Sequence, residues 1–479
     1  MQTRMRTVSI RRAAIILSAG LLWNVSAFNP PNRGLWRKKK RTNPTCADTT
    51  PTEFSSSSKT VDALQAKAAL IASSFVPGNF DPWLTNCHVQ TIGGFFVRDI
   101  CPYVPVSNTA AATTFARALF RRFTNSSSSE TKNLDFWDTR ERIDSPDGDW
   151  YHVDSKFCST DSAVAALAPT VILLHGLESN SRSSLSTEMA RSYISRGMNC
   201  VCVNFRGCSG HPNDRLGGYH LGFTDDLKHY LDILEKKQQQ QPSGNPRLYL
   251  AGFSLGANVV LKCLGELGET ALTQYNVHGA AVSCAPLDQE ANSDILAKAG
   301  INRFIYTNNL LKSLKGRAVD QLERFFDGDE TKATFNYQRA MAAETITDFD
   351  ENFIAPIYGF DSAADYYQKT SSVNFLNEIA VPTMILNAKD DPFLCPTVWP
   401  TEKSREHGGR APLKMVRTEH GGHLGFCWQR VAETETTLLQ TGQETELVSP
   451  PPSWASVEQA RFLAHVHEHP ATEELLLRQ

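Results

Sequence analysis

The stretch of sequence that decides the fold is Gly252-Phe253-Ser254-Leu255-Gly256. It follows an apolar run at 247–251 that predicts a strand, and it opens an amphipathic segment at 255–267 that predicts a helix. Glycines two positions on either side of the serine suit a sharp strand-to-helix turn, where side chains would collide with the neighbouring elements. Such a turn lifts Ser254 to the helix N-terminus, where unpaired N–H groups favour a developing negative charge. We therefore interpret Ser254 as a candidate nucleophile.

On both sides of this turn, short β-branched runs alternate with longer amphipathic segments, a pattern typical of a parallel sheet flanked by helices. The predicted strands are 168–174, 199–205, 247–251, 277–284, 382–387 and 413–417. The alternation breaks from about 287 to 378, where aromatic, leucine and charged residues recur at helical spacing, so we expect a helical cap insertion there. The sequence thus predicts an α/β fold with a mostly parallel, twisted sheet.

A serine hydroxyl needs a base to remove its proton, and the base needs an acid to fix its tautomer. Asp390 and Asp391 follow the predicted strand after the insertion, and His420 and His423 follow the last predicted strand. We favour Asp391 because it immediately precedes a proline in the turn, and we assign Asp390 to loop capping. We favour His423 because a glycine pair after His420 gives it the reach to turn back across the sheet edge.

The negative charge that forms when the serine attacks needs two preorganised hydrogen-bond donors. We expect the backbone N–H of Leu255, directly after the candidate nucleophile, to be one of them. The second is expected from the loop after strand 168–174, with the N–H of Leu177 as the candidate. His175, Gly176 and Phe253 are predicted to lie near the substrate.

Several blocks of the sequence resemble the YheT-like branch of the α/β-hydrolase superfamily, which includes abhydrolase-domain lipid hydrolases and embryogenesis-associated proteins. The blocks are PWLTNCHVQTI at 82–92, LHGL at 174–177, NFRGC at 204–208, AGFSLGA at 251–257, DDPF at 390–393 and HGGHLGF at 420–426. The resemblance implies an α/β-hydrolase fold and hydrolysis of carboxylic esters, in some relatives phospholipid or acylglycerol esters, through Ser254, Asp391 and His423. The chain departs from the family pattern at Cys87, where glycine is usual, and at 178–182, which lack a common glycine.

Composition and charge exclude several other functions. Of 479 residues, 41% are hydrophobic and 21% charged, with a net charge of −3, so neither a disordered chain nor a nucleic-acid partner is expected. The 11 cysteines are scattered without the short paired spacing of a zinc site, and we predict no metal. No nucleotide or flavin motif occurs, so we predict no cofactor. The expected partner is a lipid or other ester substrate; oligomeric state is left open.

The N-terminus carries a basic stretch and an apolar run at 13–23 that is short for a membrane span. A signal segment at 1–27, cleaved after Ala27, is our first interpretation, with delivery to the endomembrane system or to a plastid because the following basic segment resembles a bipartite plastid presequence. The alternative is an uncleaved membrane anchor at 13–27, and contact with a membrane surface is left open. The remaining predicted regions are a basic, Ser/Thr-rich presequence or linker at 28–74, the hydrolase domain at 75–470 and a C-terminal tail at 471–479.

Two other functions compete with ester hydrolysis. An acyltransferase would use the same acyl-serine with an alcohol acceptor, and a non-catalytic lipid-binding protein would keep only the fold. His220 and Asp225 form a pattern found in glycerolipid acyltransferases, but here it opens a predicted helix and we interpret it as structural. Trp83 and His88 are candidates to line a substrate channel; for Trp83 the alternative, which we favour, is that it anchors the N-terminal segment to the core.

Overall fold

The computed structural model describes residues 57–82, 84–97, 136–240, 245–400, 411–427 and 453–471. Its central feature is an eight-stranded sheet in the order β1-β2-β4-β3-β5-β6-β7-β8. The strands are β1 Thr139–Asp144, β2 Trp150–Lys156, β3 Thr170–Leu174, β4 Asn199–Val203, β5 Leu248–Phe253, β6 Val277–Ser283, β7 Thr383–Ala388 and β8 Leu413–Thr418.

Strands β3 to β8 run parallel to one another, whereas β2 pairs antiparallel with β4 and β1 pairs antiparallel with β2. The carboxyl ends of the six parallel strands therefore meet at one edge, where the loops of an α/β sheet collect functional side chains. This arrangement confirms the predicted fold class. The two antiparallel strands were not predicted. The outer strand β1 has mostly exposed, charged side chains and lacks the apolar run that marks a buried strand, and in β2 polar residues interrupt the apolar ones.

The parallel strands are buried on both faces of the sheet, as expected for a sheet covered by helices. In β3, Ile172 and Leu174 pack into one apolar cluster, while Val171 and Leu173 pack into the cluster on the opposite face. Successive side chains of a strand point to opposite faces, so one apolar run supplies both clusters. Helices over the two faces include Ser184–Ile194, Asp225–Gln240, Leu255–Leu267 and Trp454–Glu468, with shorter helices at Ser162–Leu167 and Thr270–Thr273.

Between β6 and β7 the chain contains helices only, which agrees with the predicted insertion. They are Gln289–Ala297, Asn308–Phe326, Tyr337–Ala342, Ile346–Phe349, Ala355–Tyr358 and Ala363–Thr370, the π-helical segments Asn302–Thr307 and Asp350–Ile354, and the 3₁₀ turns Ser372–Asn374 and Leu376–Glu378. These helices, called the cap below, share an apolar cluster that includes Leu322, Phe349 and Phe353. Leu177, Leu216 and Leu221, from outside the insertion, pack against this cluster, which therefore joins the cap to the loops that follow β3 and β4.

Residues 57–74 correct the sequence analysis, which assigned 28–74 to a presequence or linker. Ser57–Ser74 forms a helix, and its Ile71 side chain is fully buried in the same apolar cluster as the closing Trp454–Glu468 helix. The serine-rich start of the helix masked the apolar residues at helical spacing that follow it, such as Leu64 and Ile71. The predicted signal or anchor at 1–27 and most of the predicted C-terminal tail lie outside the described residues.

Among the residues that the structure describes, none of the helices is both long and apolar enough to span a bilayer.

Candidate active site

The turn between β5 and the Leu255–Leu267 helix holds Ser254 in an unusual backbone conformation, with φ 53° and ψ −123°. A non-glycine residue rarely adopts a positive φ, so the turn is strained. A Cβ at Gly256 would lie 2.3 Å from the Leu174 carbonyl oxygen, and a Cβ at Gly252 would lie 2.7 Å from the Gly256 carbonyl. Both glycines are therefore required by the close approach of backbones, as the sequence predicted.

A continuous hydrogen-bond chain joins Ser254, His423 and Asp391 at the carboxyl edge of the sheet. The Ser254 Oγ lies 3.0 Å from His423 Nε2, and His423 Nδ1 lies 2.8 Å from Asp391 Oδ2. The Asp391 side chain is fully buried and His423 is 9% exposed. Because the carboxylate faces Nδ1, that nitrogen carries the proton, which leaves Nε2 as the acceptor that faces the serine hydroxyl.

Phe393 stacks on the ring of His423, a contact that the sequence analysis missed. The two ring centroids lie 4.2 Å apart with 19° between the planes, and the Phe393 N–H donates to Asp391 Oδ1 at 2.9 Å. Phe393 thus contacts both partners and restricts rotation of the imidazole. Its position directly after Asp391-Pro392 indicates that it lies near the site, but no pattern in the sequence predicts that its ring stacks on His423.

The other two candidates, Asp390 and His420, form a second pair beside the first. His420 Nδ1 lies 3.4 Å from Asp390 Oδ2, and the His420 side chain is 41% exposed. Asp390 Oδ1 accepts the Gly422 N–H at 2.9 Å, and burial raises the pKa of Asp390. The structure therefore places Asp390 as a cap of the loop that carries His423, and it places neither residue against Ser254.

We predict that Asp391→Asn lowers kcat for p-nitrophenyl butyrate by about 10⁴, because an amide at this position favours the wrong histidine tautomer. Asp390→Asn is the matched control, since its amide oxygen can still accept the Gly422 N–H. We expect that variant to stay within about tenfold of wild type, well short of the tautomer effect. Steady-state kinetics of the two purified variants measure both effects, and the reverse order would contradict the assignment of Asp391.

The loop after β3 lies directly against the serine. A Cβ at Gly176 would lie 3.2 Å from Ser254 Cβ, so the loop that contains Leu177 borders the serine side chain. Leu255 is the first residue of its helix, where the N–H has no acceptor within the helix. Both predicted backbone donors therefore belong to segments that border Ser254.

Glu178 fixes the far end of this loop to the cap. Its φ of 53° again lies in the left-handed region, which a non-glycine residue rarely adopts. Its carboxylate accepts from the Tyr219 hydroxyl at 3.0 Å and the Ser313 hydroxyl at 2.9 Å. The same carboxylate pairs with Arg317 at 2.8 Å. Through Ser313 and Arg317 these contacts join the loop to the Asn308–Phe326 helix.

The predicted substrate contacts of His175 and Phe253 are corrected by the structure. The His175 ring is fully buried; it accepts the Phe205 N–H at Nε2 and faces the Gly176 carbonyl at Nδ1. Burial lowers the pKa of His175 to about 4, so the ring is neutral at pH 7. Phe253 is 2% exposed and belongs to the core. Phe253 ends β5 and His175 follows β3, and both side chains lie in the packed interior beneath the turn and the loop.

The cap reaches the site through its Asn302–Thr307 segment. Asn302 Nδ2 donates to the Pro392 carbonyl at 2.8 Å, and the Tyr306 ring packs on Phe393 with centroids 4.7 Å apart. The Tyr306 hydroxyl lies 2.9 Å from His88 Nδ1, and burial lowers the pKa of His88. His88 therefore joins the Cys87–Val97 helix to the cap, a role that the interpretation of it as a channel residue did not include.

His220 packs among aromatic rings, including Tyr358 at 4.5 Å and Tyr366 at 5.6 Å between centroids. Burial lowers its pKa to about 3, so it is a neutral structural side chain, and Asp225 begins the Asp225–Gln240 helix. This supports the structural interpretation of the pair. Trp83 lies outside the described residues.

One set of side chains near the site has the donor atoms of a metal site. One atom each of Cys284, Asp391 and His423 lie within 4.8 Å of one another, and all three residues are buried. A thiolate, a carboxylate and an imidazole suit a borderline-soft ion such as Zn²⁺. Asp391 and His423 are also the residues whose hydrogen bond holds the imidazole toward Ser254, so an ion here would compete with the hydrogen-bond chain.

Comparison with known proteins gives the same family as the fold. A family model described as the alpha/beta hydrolase fold matches residues 169–429, which is more than half of the chain. YheT of Escherichia coli (strain K12) is 33% identical over 308 residues, covering 64% of this chain and 81% of that protein. Residues 169–429, which the family model matches, contain the turn at Ser254, the cap, and both Asp391 and His423.

Two eukaryotic relatives match over a smaller share of their length. Human phospholipase ABHD3 is 26% identical over 285 residues, covering 59% of this chain and 64% of its own. The medium-chain fatty acid ethyl ester synthase/esterase 2 of Saccharomyces cerevisiae is 26% identical over 274 residues, which cover 54% of this chain and 58% of that protein. The chain therefore spans less than two thirds of these two relatives. Together, the fold and these matches show that the chain belongs to the α/β-hydrolase family, in the branch that contains YheT and the abhydrolase-domain proteins.

Proposed function

We propose that this protein hydrolyses carboxylic esters of lipids, of the acylglycerol or phospholipid kind, through an acyl-Ser254 intermediate. The observation that carries the proposal is the unbroken chain from Ser254 Oγ through His423 to Asp391, at 3.0 Å and 2.8 Å. A buried carboxylate, an oriented imidazole and a serine on a strained turn form the arrangement by which serine hydrolases make an alcohol nucleophilic.

In the first half-reaction, His423 Nε2 takes the proton of the Ser254 hydroxyl while Oγ attacks the ester carbonyl carbon. The carbonyl oxygen becomes negatively charged, and the N–H groups of Leu255 and Leu177 stabilise it. The carbon–oxygen bond to the alcohol then breaks, and the alcohol leaves with the proton from His423. Asp391 stays ionised throughout and stabilises the imidazolium at Nδ1.

In the second half-reaction, a water molecule takes the place of the alcohol. His423 Nε2 removes a proton from the water as its oxygen attacks the acyl carbon, and the same two N–H groups stabilise the second oxyanion. The bond to Ser254 Oγ breaks, the proton returns to Oγ, and the carboxylic acid leaves. The enzyme is thereby restored without any other reactant.

Two features support a lipid as the acyl donor. The eukaryotic relatives carry names that refer to a phospholipase and to fatty acid ethyl esters. In addition, the cap segment that contacts the site through Asn302 and Tyr306 also exposes Phe304, at 66%, and Ile301, at 52%. Large apolar side chains at the surface suit contact with a lipid aggregate, and these two adjoin in the chain the cap residues that contact Pro392 and Phe393.

The test is turnover of a substrate panel by the full chain: p-nitrophenyl butyrate, a long-chain monoacylglycerol, and phosphatidylcholine in vesicles. We expect release of fatty acid from at least one of the two lipids and covalent labelling of Ser254 by a fluorophosphonate, located by peptide mass spectrometry. Labelling without turnover of either lipid would contradict the lipid class but not the hydrolase chemistry. If the protein shows neither labelling nor turnover, the non-catalytic lipid-binding alternative remains.

Acyl transfer is the second candidate, because the name of the yeast relative includes an ester synthase as well as an esterase. An alcohol that attacks the acyl-serine in place of water gives a new ester by the same proton transfers. The ratio of ethyl ester to free acid, measured with increasing ethanol, separates the two outcomes. Hydrolysis predicts mainly free acid at ethanol concentrations well below that of water.

A further inference from the structure

The Cys87–Val97 helix approaches the loop that carries the proposed base so closely that only glycine fits between them. A Cβ at Gly422 would lie 2.5 Å from the Cys87 carbonyl oxygen, and a Cβ at Gly425 would lie 2.5 Å from the Gln90 carbonyl oxygen. Gly422 also has a φ of 57°, which favours glycine. Separations below 3.0 Å leave no room for a side chain, so helix and loop are packed backbone against backbone.

Thr91 holds the backbone of the base directly. Its Oγ1 accepts the backbone N–H of His423 at 2.9 Å and donates to the Cys87 carbonyl at 2.8 Å. The bond that the hydroxyl donates to Cys87 fixes the Thr91 rotamer, and the bond that it accepts holds the backbone of His423, whose ring faces Ser254. Asp391 fixes the ring of His423, and Thr91 fixes the peptide to which the ring is attached.

Gln90 closes the other end of the same loop. Its side chain is fully buried. Its Oε1 accepts the Cys427 N–H at 3.0 Å, and its Nε2 donates to the Cys427 carbonyl at 3.0 Å and the Leu84 carbonyl at 2.6 Å. A primary amide is well suited to this task, because it offers two donors beside an acceptor.

From these contacts we infer that Thr91 and Gln90 are positioning residues of the active site: they act through His423 and do not touch the substrate. The inference rests on the proposed function, in which His423 is the general base. A base must stand within hydrogen-bond reach of both its partners, and a misplacement of about 1 Å can cost about 10²-fold in rate. The PWLTNCHVQTI block would thereby serve catalysis from the opposite end of the chain.

Thr91→Val tests this inference, because valine keeps the shape of threonine and replaces the hydroxyl with a methyl group that cannot accept the His423 N–H. We expect kcat for p-nitrophenyl butyrate to fall about 30- to 100-fold with KM within about twofold, since the base is misplaced while the acyl site is unchanged. The rate of fluorophosphonate labelling of Ser254 should fall in parallel. Thr91→Ser restores the hydroxyl and should keep kcat within about threefold of wild type, because the hydrogen bond to His423 is retained.

Thr273→Val is the matched control. Thr273 is an exposed helical threonine whose Oγ1 also donates to the carbonyl four residues earlier, that of Glu269 at 3.1 Å, and it is remote from the site in the fold. It should keep wild-type kcat. If Thr91→Val lowers the unfolding temperature but leaves kcat and labelling unchanged, Thr91 is merely structural and the inference is wrong. A 100-fold loss in Thr91→Ser overturns it as well, whereas an inactive and unlabelled wild type refutes the proposed function itself.

Discussion

Ser254→Ala is expected to lower kcat for p-nitrophenyl butyrate by about 10⁶, the loss seen when the nucleophile is removed from a well-studied serine hydrolase. The substitution removes only Oγ, so the covalent route closes while the turn keeps its backbone contacts. The Ser254 N–H still donates to the Ser283 carbonyl, at 3.0 Å, and neither glycine that permits the turn is altered. The unfolding temperature should therefore remain close to that of wild type.

The measurement needs a purified variant and a second readout, because trace contamination by another esterase can mimic residual activity. Fluorophosphonate labelling supplies it: wild type should incorporate one label and Ser254→Ala none. Ser195→Ala is a suitable control, since Ser195 only donates to the Ser192 carbonyl at the end of its helix. Near wild-type turnover by a pure Ser254→Ala sample would show that another residue is the nucleophile.

The parts of the site that could be predicted from sequence are those set by local geometry. A sharp turn with glycines on both sides of Ser254 is specified within five residues, and the order of strands places the later partners at the same edge. The choice of His423 over His420 followed from reach alone, since a glycine pair separates them. In the structure the His423 ring, and not the His420 ring, lies between Ser254 and Asp391.

Contacts between distant segments could not be predicted in the same way. Nothing in the sequence around Thr91 shows that its hydroxyl meets the backbone of His423, because the two residues are 332 positions apart. Phe393 and Tyr306 pose the same difficulty, since an aromatic residue in a loop or cap is equally compatible with many partners. Such contacts depend on how the cap and the N-terminal helix pack, and packing is decided by the whole fold.

The predicted contacts of His175 and Phe253 with substrate failed for a related reason. Both residues adjoin the reacting serine in the chain or in space, and nearness suggested direct contact. Strand and turn geometry instead point the two side chains into the packed interior, where they hold the backbone that borders Ser254. A prediction of direct contact needs the direction of the side chain as well as its position.

His423→Ala is expected to lower kcat by about 10⁶, comparable to loss of the nucleophile, because base and nucleophile act as one unit. Without the imidazole, nothing in the observed arrangement accepts the proton of Ser254 Oγ or returns one to the leaving alcohol. Fluorophosphonate labelling should slow to a similar degree, since phosphonylation needs the same proton transfer. Burst kinetics would then show no rapid acylation.

His420→Ala is the decisive companion variant, because the two histidines lie three residues apart in the same loop. The His420 ring faces Asp390 and is 41% exposed, whereas the His423 ring bridges Asp391 and Ser254. Loss of His420 removes a partner of Asp390 but leaves the Gly422 N–H bonded to that carboxylate. We therefore expect His420→Ala to keep kcat within about tenfold of wild type, far from the loss of a general base. If His420→Ala were the inactive variant and His423→Ala the active one, the loop would have to rearrange in solution, and the proton pathway through Nε2 of His423 would be wrong.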